Sequence, residues 1–516
     1  MYGKITGGCL HGIDGMLIEV EADVSNGLPQ VNIVGLPDSS VRESVERVRS
    51  AIKNGGFQFP LARITINLAP ADLRKEGTCF DLAIAVCILT TSGQLSPAFF
   101  QSALVLGELS LDGGVRPVPG VLSMVHRAKQ AGIYTVVLPA ENAKEAELIE
   151  GMRIVVVKNV RELANPQWFE AAERQGTIVH TDASAGNERD SMPDFADVKG
   201  QQQAKRALAI AAAGMHNVIL VGPPGSGKTM LMRRLPSILP PLSDEEAFQV
   251  TRIYSAANLL HGPAKFIRRR PFRAPHHTVS PGGLAGGGTI PKPGEVSLAH
   301  HGVLFLDELP EFSRSALEIL RQPLEDRVLT ISRARGSVTF PATFIFAASM
   351  NPCPCGYYGQ TDGVRVCSCT ELSVKRYRGK ISGPLLDRID MQVEVPRVTA
   401  AWSETPVTEH SEEQWSSKVL RAAVDTAHTV QAKRYERLAF SYNSELSGSA
   451  LRTFCKVDRH GQGILKGAFE HLGLSARAYD RIIKVARTIA DMEQAENIRG
   501  DHIAEAIHYR FWDRQL

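Results

Sequence analysis

Two kinds of apolar run alternate along roughly the first 170 residues and predict a domain that mixes strands with helices. "RITINLAP" (Arg63 to Pro70) and "YTVVLPA" (Tyr134 to Ala140) are short and rich in β-branched residues, which predicts strands. "FDLAIAVCIL" (Phe80 to Leu89) is longer and almost wholly apolar, which predicts a buried helix. We expect residues 1–175 to form one domain.

A strand, a glycine-rich turn, a helix and a second apolar strand follow in the middle of the chain. "HTDASAGNERDSMPD" is polar and predicts a linker, which we place at residues 176–194. "NVILVGPPGSGKTMLMRRL" (Asn217 to Leu235) contains the strand, turn and helix, and "GVLFLDELPEF" contains the second strand. This order is typical of a parallel α/β nucleotide-binding domain, which we expect at residues 195–397.

Strand signals end near residue 397, and the rest of the chain has the periodicity of helices. "ARAYDRIIKVARTIADM" places Ala478, Ile482, Ala486 and Ile489 on one face. We therefore expect residues 411–516 to form an all-α domain.

The bulk composition narrows the class of protein without defining a function. A chain of 516 residues is too long for one hydrophobic core, and 43% hydrophobic with 22% charged residues is ordinary for a soluble protein. No apolar run approaches the roughly 20 residues that cross a bilayer, and no signal peptide is evident. We expect a cytoplasmic protein that does not bind membranes and forms no stable disulfides. A net charge of +3 is too small to indicate nucleic-acid binding by itself.

The strongest motif is "GPPGSGKT", which fits the phosphate-binding pattern G-x-x-x-x-G-K-[ST]. Glycines allow consecutive backbone N–H groups to face phosphate oxygens at the start of a helix. Lys228 is expected to reach the β- and γ-phosphates of ATP, and the Thr229 hydroxyl to bind Mg²⁺. The predicted nucleotide-binding residues are Gly222, Pro223, Pro224, Gly225, Ser226, Gly227, Lys228 and Thr229.

Two further apolar strands end in polar residues that suit ATP hydrolysis. "VLFLDEL" ends in Asp307 and Glu308; the first is expected to hold Mg²⁺ and the second to polarise the attacking water. "TFIFAASMN" ends in Asn351, which can orient that water. Together with the glycine-rich loop, these residues predict that the chain binds and hydrolyses ATP.

These residues resemble those of the magnesium-chelatase-like AAA+ ATPases, and within that group the ComM/YifB family. The resemblance covers nearly the whole chain and rests on blocks in the family order: "VNIVGLPDSSVRESVERVRSAI", "ADVKGQQQAKRALAIAAAGMHNVILVGPPGSGKT", "RPFRAPHHT", "HHGVLFLDELPEF", "SMNPCPCG" and "SGPLLDRID". It implies an α/β P-loop AAA+ core and a helical lid. It also implies a hexameric ATP-dependent helicase that promotes branch migration in homologous recombination during natural transformation, on recombinase-coated DNA.

The resemblance also implies roles for two arginines. Arg388 in "LLDRID" matches the arginine finger, which reaches the γ-phosphate held by a neighbouring subunit. Arg477 in "LSARAYDRI" matches the lid arginine called sensor 2. An exposed, ion-paired arginine is the alternative in each case. A finger that acts on a neighbour implies a homo-hexameric ring.

Two basic segments are candidates for sequence-independent DNA binding. "KFIRRRPFRAPHHT" contains Lys265, Arg268, Arg269, Arg270 and Arg273, and "LTISRARGSVTF" predicts a β-hairpin with Arg333 and Arg335 near its turn. In the family these segments match the helix-2 insert and the pre-sensor-1 hairpin, which line the central channel of the ring. Arginines on a moving hairpin would bind phosphates without reading bases. The alternative is a solvated charged surface.

The N-terminal segments "APADLRKEGTCFDLAIAV" and "GELSLDGGVRPVPGVLSMV" resemble the α+β proteolytic domain of Lon. In Lon the first holds a serine nucleophile and the second a lysine base. Cys79 and Leu122 stand at those positions here, and a leucine cannot accept a proton. We expect a non-proteolytic domain that contacts DNA or other subunits.

Four of the eight cysteines form two C-x-C pairs directly after Asn351, within a cysteine loop at residues 353–369. Cys353, Cys355, Cys367 and Cys369 could supply four thiolates to a tetrahedral Zn²⁺, although C-x-C is tighter than the common zinc spacing. Four unligated cysteines are the alternative. If zinc binds, we expect its removal to alter assembly or DNA coupling and to leave nucleotide binding largely intact.

Three classes of function compete. An ATP-driven DNA motor is favoured by the Lon-like domain and the cysteine loop, since neither belongs to the usual chelatase ATPase subunit. An AAA+ subunit of a metal-chelatase-like complex, which remodels a protein partner, is the alternative. An ATP-dependent protease is disfavoured by Leu122.

Overall fold

The computed structural model describes residues 1–72, 74–165, 173–175, 192–260, 265–288, 291–333, 336–359, 366–397, 414–438, 440–472 and 474–510. Of the predicted linker, only the last three residues lie within these ranges.

Strands are numbered in chain order: β1 Tyr2–His11, β2 Asp14–Ser25, β3 Gln30–Val34, β4 Arg63–Ala69, β5 Ala103–Val105, β6 Glu108–Leu109, β7 Val115–Arg116, β8 Thr135–Pro139, β9 Arg153–Val157, β10 Glu173–Gln175, β11 Val218–Val221, β12 Phe272–Arg273, β13 Gly286–Gly287, β14 Lys292–Pro293, β15 Val303–Leu306, β16 Val328–Arg333, β17 Gly336–Pro341, β18 Ile345–Met350 and β19 Met391–Glu394.

The α-helices are α1 Ser39–Asn54, α2 Asp81–Thr91, α3 Pro97–Phe100, α4 Val121–Gln130, α5 Ala143–Ala146, α6 Gln202–Gly214, α7 Lys228–Met232, α8 Leu235–Ile238, α9 Asp244–Ala256, α10 Pro281–Ala285, α11 Glu295–Leu298, α12 Arg314–Ile319, α13 Arg321–Asp326, α14 Glu371–Arg378, α15 Gly383–Leu386, α16 Ser417–Arg434, α17 Gly448–Phe454, α18 Arg459–Leu472, α19 Ala476–Met492 and α20 Gly500–His508.

The N-terminal residues build an eight-stranded sheet in the order β10-β9-β8-β5-β1-β2-β4-β3. In β4, Ile64, Ile66 and Leu68 are buried and alternate with partly exposed residues, as expected for a strand with one face on the core. Helix α2 packs against β1 and β2, and nearly all of its residues are buried. The predicted strands and the predicted buried helix of this region are therefore confirmed.

A second sheet has five parallel strands in the order β12-β15-β18-β11-β19. Every residue of β11, β15 and β18 is buried, because parallel strands are covered on both faces. The glycine-rich loop follows β11, Asp307 follows β15 and Asn351 follows β18. Three predicted site segments thus meet at the carboxyl edge of one sheet.

The described residues between 414 and 510 contain five helices and a short 3₁₀ turn. Helix α19 buries Ala478, Ile482, Ala486 and Ile489, the face that the sequence predicts, and packs against α6 and α16. The helical character is as expected, whereas a lid function for this region and the division into domains stay predictions. Within the described ranges no helix is long and apolar enough to cross a bilayer.

The first sheet is joined to the second half of the chain by a small shared apolar cluster. Ile13, between β1 and β2, packs with Ile253 of α9 and with Ile331 and Val338 of the β16–β17 hairpin. Next to this cluster, Arg252 of α9 forms an ion pair with Asp14 at 2.6 Å. The hairpin therefore shares its packing with the N-terminal sheet.

Candidate nucleotide-binding site

The glycine-rich loop turns tightly at the end of β11. The Gly222 N–H donates to the Met350 carbonyl at 3.2 Å, and a Cβ at Gly222 would lie 2.1 Å from the Val395 carbonyl oxygen, so no side chain fits there. Gly227 has φ of +89°, which favours glycine, and immediately precedes α7. Loops of this kind bind phosphates through their backbone N–H groups.

Lys228 begins α7 and is 8% exposed. Its Nζ donates to the carbonyls of Gly222 at 2.8 Å and Pro223 at 2.9 Å, and lies 3.3 Å from Asn351 Oδ1. Burial lowers the pKa of the Lys228 ammonium to about 8, although the carboxylate of Asp307 raises it. The lysine is thus held against the glycine-rich loop. Asn351, the residue predicted to orient the attacking water, lies beside it.

Asp307 and Thr229 are also neighbours. The Thr229 hydroxyl donates to Asp307 Oδ2 at 2.8 Å, and Asp307 Oδ1 accepts from the Ser349 hydroxyl and from the Glu308 N–H at 3.1 Å. A hydroxyl and a carboxylate in contact are the hard oxygen ligands that Mg²⁺ prefers. The donor set therefore fits a magnesium ion with a nucleotide.

Ser349 is a site residue that the sequence reasoning missed. It lies in β18 and is fully buried, yet its hydroxyl fixes the orientation of the Asp307 carboxylate. The available signal was a single hydroxyl at the end of the apolar run "FIFAAS".

Glu308 is exposed and has φ of +54°, a conformation uncommon for a residue with a side chain. Uncommon backbone conformations of this kind are concentrated at active sites. At this turn Glu308 is exposed, whereas Asp307 accepts a hydrogen bond from Thr229. The structure thus brings Lys228, Thr229, Asp307, Glu308 and Asn351 to one edge of the sheet.

Arg388 lies at the opposite edge of the same sheet. Its carbonyl accepts from Asn217 Nδ2 at 2.9 Å, and Asn217 immediately precedes β11, whereas the glycine-rich loop follows β11. Four strand residues span about 13 Å. The Arg388 guanidinium pairs with Glu325 and donates to the Pro384 carbonyl at 2.7 Å.

Arg477 lies near Arg388. Its Nη1 is 3.5 Å from Asp387 Oδ2, and its side chain is 62% exposed, so it is held weakly. Arg481, one turn along α19, instead pairs with the buried Asp390. Burial alone would raise the pKa of Asp390, but Arg481 and His216 hold it well below its usual range. Arg481 thus has a structural ion pair, and Arg477 is the more available arginine.

Arg270, one of the predicted DNA contacts, is buried. Its guanidinium donates to both carboxylate oxygens of Glu246 at 3.1 and 3.2 Å and to the carbonyls of Pro240 and His301, each at 2.8 Å. With 6% exposure and these internal partners, Arg270 does not present its charge to a phosphate in this structure. We therefore leave it out of the proposed DNA surface.

The other basic residues of this segment differ in exposure. Arg268 and Arg269 are exposed, and Arg268 pairs with Asp244. Arg273 is partly buried and forms a bidentate pair with Glu295 at 2.6 and 2.7 Å.

The predicted β-hairpin is present as β16 and β17, which pair antiparallel with Arg333 opposite Gly336. Arg333 is exposed. Arg335 lies outside the described residues, so its predicted role stays a prediction.

The Cys79 site differs from the site around Lys228. Cys79 is 8% exposed and Leu122 is fully buried. Burial raises the pKa of the Cys79 thiol well above its usual range, and nearby Cys9 and Asp81 raise it further. A thiol in this environment stays protonated, which argues against a nucleophile.

The four cysteines of the loop after β18 lie together. All four Sγ atoms are within 4.8 Å of one another, and none forms a disulfide. The sequence-based expectation that the two C-x-C pairs meet is therefore confirmed, whereas zinc binding stays a prediction.

Comparisons with known proteins identify the family of the chain. Three family models match: "Magnesium chelatase, subunit ChlI" over residues 194–402, "Subunit ChlI of Mg-chelatase" over residues 20–142 and "Magnesium chelatase, subunit ChlI C-terminal" over residues 414–510.

Among curated relatives, the protein named YifB of Salmonella typhimurium is 42% identical over 505 residues, which is 98% of this chain and 96% of that protein. Competence protein ComM of Haemophilus influenzae is 40% identical over 510 residues, with the same coverage. Lon protease 2 of Bacillus subtilis is 27% identical over 179 residues, 31% of this chain and 32% of that protein. The chain belongs to the YifB/ComM family of magnesium-chelatase-like proteins.

Proposed function

We propose that the chain is an ATP-driven DNA motor, a homo-hexameric helicase that promotes branch migration in recombination during natural transformation. The observation that carries the proposal is the separation of two half-sites: Lys228, Thr229 and Asp307 at one end of β11, and Arg388 at the other. Similarity to Competence protein ComM supports the competence role. The motor would work in the cytoplasm on branched or single-stranded DNA, including recombinase-coated DNA.

Hydrolysis of ATP is assigned to the carboxyl edge of the second sheet, in a P-loop AAA+ core. Lys228 neutralises the β- and γ-phosphates, while Thr229 and Asp307 hold Mg²⁺. Glu308 polarises the attacking water, and Asn351 orients it. When bound, Mg²⁺ neutralises charge that develops on the phosphate oxygens. The proposal also includes Zn²⁺ at the four cysteines.

The positions of two arginines support the proposed ring. Arg388 and Arg477 are close to each other at the amino edge of the sheet, away from the chain's own glycine-rich loop. An arginine that stabilises transition-state charge must reach the γ-phosphate. Each chain would therefore supply both arginines to the ATP site of a neighbouring copy, with the C-terminal helices acting as a lid.

DNA contact is assigned to the exposed Arg333 on the hairpin, with Arg335, Arg268 and Arg269 as additional contacts. Exposed arginines bind phosphates without sequence preference. Because the hairpin packs against Ile13, the N-terminal domain is proposed as a non-proteolytic scaffold that positions the hairpin.

A metal-chelatase-like subunit that remodels a protein partner is the second candidate. The family models that match the chain carry the magnesium-chelatase description, which supports an ATPase but not a particular partner. DNA-stimulated hydrolysis separates the two candidates, because a chelatase subunit has no need of DNA.

The proposal is tested with purified protein, ATP hydrolysis in the presence and absence of single-stranded DNA, and migration of a four-way junction. We expect DNA to stimulate ATP hydrolysis. We expect the four-way junction to migrate only when ATP is present. Lys228→Ala should lose both activities.

Arg333→Ala sharpens the test. It should weaken DNA binding equally for unrelated sequences and reduce the salt dependence by about one phosphate contact. Arg452→Ala, an exposed arginine of α17, is the matched control and should bind DNA normally. Failure of wild-type protein to show DNA-stimulated hydrolysis or junction migration would exclude the motor.

A further inference from the structure

The four-cysteine cluster (Cys353, Cys355, Cys367 and Cys369) has the spacing of a metal site. Cys353 Sγ lies 3.3 Å from Cys355 Sγ and 3.8 Å from Cys367 Sγ. The Sγ atoms of Cys355 and Cys367 are 3.5 Å apart. A disulfide needs about 2.05 Å. Four thiolates about 2.3 Å from a tetrahedral zinc ion are about 3.8 Å apart, so the observed distances fit zinc far better.

Backbone N–H groups support the thiolate character of this cluster. The Gly356 N–H donates to Cys353 Sγ at 3.2 Å, and the Cys369 N–H donates to Cys367 Sγ at 3.4 Å. Cys353 is fully buried, whereas the other three cysteines are partly exposed. Donors to the sulfurs hold metal ligands in place and offset the charge of four thiolates.

The cluster is in contact with the glycine-rich loop. Gly356 has φ of +87°, and a Cβ added to it would lie 2.5 Å from Pro224 Cδ, so the backbone of the cysteine loop rests directly on Pro224. The turn is closed by the Gly356 N–H, which also donates to the Cys353 carbonyl at 3.0 Å. The fold of the cysteine loop therefore constrains where Pro224 can lie.

A second connection runs through the end of β18. Asn351, two residues before Cys353, accepts from Lys228 at 3.3 Å. Arg378 of α14 donates to the carbonyl of the intervening Pro352 at 3.1 Å and lies over the ring of Tyr358 at 5.2 Å. The cluster thus adjoins the nucleotide-binding loop at Pro224 and at Lys228.

We infer that the four cysteines bind one Zn²⁺, which fixes Gly356 against Pro224 and Asn351 beside Lys228, so that zinc occupancy and ATP affinity are coupled. This inference rests on the proposed function in two respects: ATP binds the glycine-rich loop, and Zn²⁺ binds the four cysteines. It replaces the sequence-based expectation that removal of zinc leaves nucleotide binding intact, because the contact with Pro224 was not foreseeable from the spacing of cysteines.

Coupling of this kind is reciprocal. Coupling between two binding sites typically changes affinity by about 5- to 150-fold, and we expect zinc to tighten ATP binding on the order of 10-fold. ATP must then tighten zinc binding by the same factor.

The test begins with metal content and nucleotide affinity of the full-length chain without DNA. We expect about one zinc per chain in the wild-type protein by mass spectrometry of the metal. The double variant Cys367→Ser with Cys369→Ser should lose zinc and bind a fluorescent ATP analogue on the order of 10-fold more weakly. The observed contact with the glycine-rich loop is made by Gly356, which this variant leaves unchanged, so a weaker Kd would report loss of the metal.

Three variants distinguish the effect of zinc binding from the effect of the contact between Gly356 and Pro224. Gly356→Ala should keep zinc and still weaken ATP binding, because its Cβ would displace Pro224. Val366→Ser, 85% exposed beside Cys367, is the matched control and should change neither quantity. Lys228→Ala should lose nucleotide binding and keep zinc.

A further readout uses only the wild-type chain and does not depend on whether a cysteine variant folds. Zinc is extracted to equilibrium with increasing amounts of a coloured chelator, with and without ATP, and we expect ATP to lower the zinc Kd from the extraction curve by the same factor of about 10. Zinc well below one per chain, or equal extraction with and without ATP, would overturn the inference. Because no measurement uses DNA, absence of motor activity leaves these outcomes unaffected.

Discussion

The predicted nucleotide-binding site around Lys228 and the segment around Cys79 that resembles Lon have different surroundings. Around Lys228, polar groups contact one another: Thr229 bonds to Asp307, and Lys228 lies beside Asn351. At Cys79 the thiol is buried, and Leu122, which the resemblance to Lon predicts at the position of the base, is fully buried as well. One region has partners for charge and proton transfer, and the other has none at the position where the base would be.

The surroundings of a residue, more than its type, decide whether a site can react. Cysteine is a stronger nucleophile than serine, but only as a thiolate, and burial raises the pKa of Cys79. Burial also lowers the pKa of Lys228, yet nearby Asp307 and Glu308 counteract that effect. The following predictions test this contrast.

The largest effect is expected for Lys228→Ala. Loss of the ammonium removes the side chain proposed to neutralise the phosphates, and we expect ATP turnover to fall at least about 100-fold. A phosphate-release assay measures this, with Lys466→Ala, an exposed lysine of α18, as the control. Turnover above half of the wild-type rate would mean that hydrolysis occurs elsewhere.

Arg388→Ala should be nearly as severe. We expect about a 100-fold loss of turnover with normal nucleotide binding, because the arginine is proposed to act on the transition state. Mixing this variant with Lys228→Ala should restore about a quarter of the wild-type rate if chains mix at random, since one intact P-loop then meets one intact arginine. No recovery on mixing would contradict an arginine supplied by a neighbouring chain.

Ser349→Ala tests a residue that only the structure identified. Without its hydroxyl, Asp307 loses one of the groups that orient it, and Mg²⁺ affinity should fall about 10-fold. Turnover measured against Mg²⁺ concentration gives this value, and excess Mg²⁺ should rescue the rate. Ser449→Ala, an exposed serine of α17, should behave like wild type.

How much of this could be predicted from sequence depends on whether the signal is local. The loop after β11, Asp307 and the buried helix α2 were predictable because neighbouring residues specify each of them. Burial of Arg270 was not, since its partner Glu246 lies 24 residues away and nothing local distinguishes it from Arg268. Such facts depend on tertiary packing, which one sequence does not display.

The packing of Gly356 on Pro224 and the position of Arg388 also depend on tertiary packing and could not be predicted from the sequence. The sequence placed the cysteines two residues after Asn351, but 132 positions separate Gly356 from Pro224 along the chain. The motif "LLDRID" indicated an arginine finger by resemblance. The position of Arg388 at the amino edge of the sheet is seen only from its hydrogen bond with Asn217. Local motifs therefore indicate chemistry, and topology determines which subunit can use it.

Cys79→Ala should have the smallest effect and is the sharpest test of the contrast. Because the thiol is buried and protonated, we expect turnover of ATP within about twofold of wild type and a loss of unfolding free energy of about 1 kcal/mol. Peptidase activity should be undetectable in both proteins. Mass spectrometry after brief alkylation should find Cys79 unmodified in the folded chain and modified after denaturation. Rapid alkylation of folded wild-type protein at Cys79, together with peptide cleavage that the alanine variant lacks, would show that the N-terminal domain retains a nucleophile.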